Sequence, residues 1–185
     1  MKLICIALLL SACLTCAQAQ TATPSSTTAA PTKDPITAGL RTMFPNRAKN
    51  TLGAIDAMPA DKFGYKPTPD QVSFGHLVVH IIGFNNSFCA KAADVPAPKV
   101  DEPKETDTKD KLSAAAKASF DFCNDALGKM TDAKLGDDIE LFGGNHAPRA
   151  MAALIVASGW ADHYATAAMY LRLNGVLPPS AQPKK

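Results

Sequence analysis

The chain has 185 residues, 46% of them hydrophobic, with 19 Lys and Arg set against 17 Asp and Glu for a formal charge of +2. Near-neutral charge without a basic face or an aromatic–basic stripe argues against nucleic acid as a partner. The length suits one domain large enough to bury a real core.

Residues 1–19 read as a signal peptide. Lys2 supplies the charge, Leu3 to Leu14 the apolar stretch, and Ala17-Gln18-Ala19 a small-residue cleavage site before Gln20. Leu10-Ser11-Ala12-Cys13 also fits a lipobox, which would acylate Cys13. Either outcome exports the chain. The expected location is periplasmic or secreted, with lipid anchoring through Cys13 as the alternative. The apolar run is short of the ~20 residues that a membrane span needs, so no transmembrane span is expected. Cleavage removes Lys2 and leaves 18 basic residues facing 17 acidic ones.

Export changes the meaning of cysteine. Cys5, Cys13 and Cys16 lie in the signal region, and Cys89 and Cys123 remain. Two thiols in an oxidising compartment point to a disulfide. Two small buried thiols that never meet are the other reading.

Residues 20–34 carry Ser, Thr, Ala and Pro without apolar periodicity and read as a disordered leader. Asp34-Pro35 supplies an N-cap and a first-turn proline, opening a helix from about Ile36 to Met58 that Pro45 should kink or restart. A second helix starts near Val72 or Ser73 and runs through Leu77, His80, Ile81, Phe84 and Phe88 to about Ala92. Asp94 to Lys109 mixes Pro with charge and reads as a solvated crossover loop. A third helix, Lys111 to Lys129, sets Leu112, Ala116, Phe120, Cys123 and Leu127 on one stripe. Leu135 to Phe142 reads as a short turn of structure before Gly143-Gly144, and no convincing strand appears. A fourth helix opens at Ala147-Pro148 and ends at Leu173, stopped by Asn174-Gly175 and Pro178-Pro179. The class is all-α: a four-helix bundle over residues 35–179, with a tail at 180–185.

Two of these helices carry imidazoles. SFGHLVVHIIGFNN places His76 and His80 at i and i+4, and WADHYATAAMYLRLNGVLPP carries His163. SFGHLVVHIIGFNNSFC, followed by LFGGNHAPRAMAALIVASGWADHYATAAMYLRLNGVLPP, resembles the DinB/YfiT-like superfamily, in particular its exported bacterial members. The resemblance spans roughly Pro35 to Pro179. It implies an up-down-down-up bundle holding a divalent metal on three His, one from the second helix and two, four residues apart, from the fourth. It also implies that some relatives are thiol S-transferases or thiol-dependent isomerases.

Carried over residue by residue, the second-helix ligand falls on His80 and the last ligand on His163, but the middle position is Gly159. His76 lies one turn from His80 on nearly the same face, and Gly159 leaves room for an extra ring. Three readings stay open: His76, His80 and His163 with water around Zn²⁺, Ni²⁺ or Fe²⁺; a two-His vestige; or histidines packed in the core without metal. Asn85 and Asn86 either line the pocket or satisfy the bundle end. Tyr164 is either a proton donor or a hydrogen-bonded core residue, and Arg172 either holds a substrate carboxylate or caps helix carbonyls. The Gly143-Gly144-Asn145-His146 turn is a weak anion-loop signal.

Two functions follow. One is an exported metal-dependent thiol transferase or hydrolase, with metal-bound water or thiolate as nucleophile. The other is a non-enzymatic bundle that binds a small-molecule ligand or a partner, a homodimer being left open.

Overall fold

The computed structural model describes residues 32–183. The signal peptide, the lipobox at Cys13, residues 20–31 of the leader and the last two residues lie outside the described residues.

Helix α1 spans Pro35–Ala57. A second rod is built from α2 (Phe74–Phe84), one π-helical turn (Asn85–Cys89) and α3 (Ala90–Ala93) in unbroken succession. The crossover leads to α4 (Lys109–Lys129). A hairpin of β1 (Asp138–Phe142) and β2 (Asn145–Pro148) precedes α5 (Arg149–Leu173). Both α1 and the second rod pack on α4 and α5. The diagonals of the bundle therefore join α1 to the second rod and α4 to α5, while the second rod and α4 are neighbours. Phe44 stands edge-on to Trp160 at 5.0 Å between ring centroids, and both are buried with Ile55, Val78, Ile81 and Leu112.

Local chemistry explains the boundaries. The Ser73 hydroxyl accepts the His76 N–H at 3.0 Å and opens α2, and Thr108 does the same for Lys111 at 3.3 Å and opens α4. Asp34 stands at the N-cap of α1, but its side chain does not cap that helix. The cap comes from a distant residue. Asp132 accepts the N–H groups of Ile36 and Thr37 at 2.9 Å each, while Asp34 accepts the N–H of Asp132 at 3.0 Å. Burial works against the charge on Asp132, yet the two backbone donors, the Thr37 hydroxyl and Arg41 outweigh it and hold the carboxyl below its ordinary range.

Pro45 neither stops nor restarts α1. A helix-interior proline costs about 3 kcal/mol. Leu40 and Phe44 before it, and Ala54 and Ile55 after it, are all buried, and each large side chain repays about 1.5–3 kcal/mol. Burial on both sides keeps the helix in one piece.

The expectation of no strands is corrected by the hairpin. Gly143 and Gly144 adopt φ of 51° and 84°, the paired left-handed conformations that a two-residue hairpin turn demands. Glu140 faces His146 and Phe142 faces Asn145 across the ladder. At the other end of the chain, Pro179 packs against Gly53 of α1, where an added Cβ would lie 3.1 Å from Pro179 Cγ. The Tyr164 hydroxyl donates to Ser180 Oγ at 2.6 Å and accepts the Ser180 N–H at 2.9 Å, which fastens the C-terminal segment to α5.

Candidate functional site

His80 on α2 and His163 on α5 face each other, with ring centroids 5.0 Å apart and planes perpendicular. His80 is exposed, whereas His163 is buried and its Nδ1 is sealed without a hydrogen-bond partner. Burial first, and the neighbouring His80 second, push the His163 pKa down to about 4 against a small opposing pull from Asp162. At neutral pH this ring is uncharged, the form in which imidazole ligates metal.

The third ring beside this pair is not His76. Phe84, one turn beyond His80, sets its ring 4.6 Å from that of His163, again perpendicular. The end of the Phe84 ring lies directly over Gly159. A Cβ at that position would overlap Phe84 Cζ and sit 2.9 Å from both Cε atoms. Phe84 is backed in turn by Phe88 at 5.0 Å. The space opened by the missing side chain at 159 is therefore filled by a phenylalanine.

His76 turns elsewhere. Its Nδ1 lies 3.3 Å from Glu105 in the crossover, and the same carboxylate accepts the Ser73 hydroxyl at 3.0 Å. The side chain of His76 is half exposed. Spacing puts His76 about 40° round the helix from His80, but the carboxylate holds its ring at the bundle edge. Among the described residues, no group of three His, Cys, Asp or Glu side chains is gathered that could hold a metal ion. The donor set at this place is His80 and His163, which falls short of the three protein ligands that a catalytic divalent site uses.

The other candidates resolve into structural roles. Asn85 is fully buried, donating to Ser119 Oγ at 3.0 Å and accepting the Trp160 indole N–H at 3.1 Å. Nothing in the sequence pattern announced this network. Asn86 lies beside a cavity on another face of the second rod. Tyr164 is engaged by Ser180, and the Arg172 guanidinium reaches the Ala168 carbonyl at 3.5 Å near the end of α5. His146 stays on the hairpin with its Nδ1 2.8 Å from Asp138, and the Gly143-Gly144 turn closes the hairpin instead of opening a helix. Cys89 and Cys123 are joined by a disulfide with Cα atoms 5.3 Å apart, tying the π turn to α4.

A family model described as the DinB superfamily matches residues 44–167. Among solved structures, a DinB-like protein from Bacillus cereus ATCC 10987 superposes with a TM-score of 0.63 at 14% identity, over 77% of this chain and 95% of that one. A DinB-like protein from Bacillus subtilis gives a TM-score of 0.62 at 21% identity, over 78% of this chain and 99% of that one. No curated protein matches the sequence.

Proposed function

The chain belongs to the DinB superfamily, and on that footing we propose that it is a member that works by binding a ligand, its divalent-metal site having lapsed to the His80–His163 pair. The observation that carries this reading is the ring of Phe84 on Gly159. A side chain at position 159 requires the Phe84 ring to shift, so the third imidazole's seat is taken by that ring. Two imidazole donors do not make a Zn²⁺, Ni²⁺ or Fe²⁺ site of the kind that activates water or a thiol. Metal-dependent transfer or hydrolysis is accordingly the less favoured alternative.

Export is part of the proposal. Residues 1–19 would be removed before Gln20, delivering a periplasmic or secreted protein, and a disulfide at Cys89–Cys123 suits an oxidising compartment. No helix among the described residues is long and apolar enough to cross a membrane. Fractionation and the mass of the mature N-terminus test this part. A membrane-bound form acylated at Cys13 would replace cleavage after Ala19, and an unprocessed chain in the cytoplasm would refute export.

The binding reading is tested by metal content. Tag-free protein incubated with Zn²⁺ or Ni²⁺ and then desalted should carry far less than one equivalent. Gly159→His alone should not raise that content, because Phe84 blocks it, whereas Gly159→His with Phe84→Ala should bring it toward one equivalent. Stoichiometric divalent metal on the unaltered protein would overturn the proposal.

A further inference from the structure

A cavity of about 940 Å³ opens on the face of the second rod formed by Val79, Gly83, Asn86 and Ser87, between the crossover and the hairpin. Its volume is in the range of sites that hold small organic ligands. The π turn creates its polar end. One extra residue per turn sends Asn85 into the core and leaves Asn86 and Ser87 to the cavity, and such turns are frequent at functional sites. Neither Asn86 nor Ser87 spends its side chain on a hydrogen bond to another described residue. Gly83 keeps the mouth open, since a Cβ there would meet nothing within 4 Å.

The far wall holds Arg149. Its side chain is only 8% exposed, with Nη1 donating to the Lys91 carbonyl at 2.6 Å and Nη2 to Asp94 at 3.0 Å. Its Nε is buried and has no partner.

Charge decides the class of ligand. The lining carries Lys91 and Arg149 against Asp94, Glu102 and Glu140, a surplus of one negative charge. The cations are already occupied, Lys91 by the Glu140 carbonyl at 2.7 Å and Arg149 by Asp94. An anion would enter a lining whose net charge is negative. What stays free is one amide and one hydroxyl, set among the apolar walls of Val79, Ile82 and Ile139.

We propose that this cavity is the ligand site, and that it takes a small uncharged molecule with an apolar body and an amide or carbonyl head directed at Asn86 and Ser87. The inference rests on the reading of the chain as a binding module, and it places the ligand away from the His80–His163 pair. N-acetyl-leucine amide titrated into the isotope-labelled protein should shift the amide resonances of Asn86, Ser87 and the crossover. N-acetyl-leucine, with a carboxylate in place of the amide, should bind at least about tenfold more weakly. Gly83→Leu fills the mouth and also improves a helix interior position, so it should abolish binding in a protein that melts no lower. Ile139→Trp offers a second block from the hairpin side. Equal or tighter binding of the carboxylate, shifts centred on other residues, no binding of the amide, or undiminished binding in folded Gly83→Leu would each overturn the proposal. Metal content, measured on the same samples, reports separately on the lapsed metal site.

Discussion

Gly159→Ala turns the packing at the imidazole pair into a question of sign. Gly159 has ordinary helical backbone and lies inside α5, where Ala should be favoured by about 1 kcal/mol. Against this stands the ring of Phe84, whose end occupies the place of the new methyl. That ring cannot swing freely, because Phe88 backs it at 5.0 Å and His163 meets it edge-on at 4.6 Å. Overpacking of this kind costs about 1–3 kcal/mol, so Gly159→Ala should leave the protein unchanged or less stable by up to about 2 kcal/mol. With Phe84→Ala as the background, the obstacle is gone and the same substitution should stabilise by its helix-propensity gain of about 1 kcal/mol. Phe84→Ala alone should cost about 2–3 kcal/mol, less than the about 3–5 kcal/mol of a fully buried ring, since Phe84 is only partly buried. Urea denaturation of the four proteins, followed by far-ultraviolet circular dichroism, measures the coupling. A full stabilisation by Gly159→Ala in both backgrounds would refute the placement of Phe84, and with it the account of the lapsed metal site.

Three further predictions concern the parts around this site. The Cys89–Cys123 bond spans 34 residues of sequence, so its reduction should lower stability by about 4 kcal/mol, mainly through the unfolded chain; denatured, unreduced mature protein should show no free thiol, and two reactive thiols would refute the bond. His163 has a folded-state pKa of about 4 against an ordinary 6.5, so the unfolded chain binds the extra proton and stability falls as pH drops from about 6.5 toward 4. Allowing for solvent screening, this loss is about 1–2 kcal/mol, and His163→Gln should remove that portion of the pH dependence; an unaltered profile would show that other groups cause it. Asn85→Ala strips the partner from the buried Trp160 N–H and one of two from Ser119, which still donates to Ala116; the expected cost is about 2–4 kcal/mol with a shift in tryptophan emission, and a change under about 0.5 kcal/mol would mean that the network carries no weight.

How much of this was legible in the sequence depends on whether a feature leaves a local pattern. The helices did, since Leu112, Ala116, Phe120 and Leu127 recur at helical spacing and end up buried. The hairpin did so only faintly, because its strands are short and mostly exposed; Asp138-Ile139-Glu140-Leu141 alternates over four residues alone, and the Gly143-Gly144 pair marks the turn. The Asp132 cap on α1 joins residues 95 and 96 apart, which no local rule reaches. Glu105, which draws His76 away, stands in a crossover whose sequence has no pattern to read.

The occupant of the space at Gly159 is a different case, since topology settles it where spacing cannot. His76 and Phe84 lie one turn either side of His80, so helical periodicity treats them alike. An up-down-down-up bundle sets its second and fourth helices antiparallel. Once His80 is matched to His163, stepping one turn forward along α2 must step one turn back along α5. That pairs Phe84 with Gly159, and it leaves His76 opposite Ala167, a small buried residue with nothing to offer a metal. The ring contacts obey this rule, with His80 on His163 and Phe84 on Gly159. The residue that fills the third ligand's seat therefore followed from the direction of the two helices, and the direction was implied by the same resemblance that suggested the ligands.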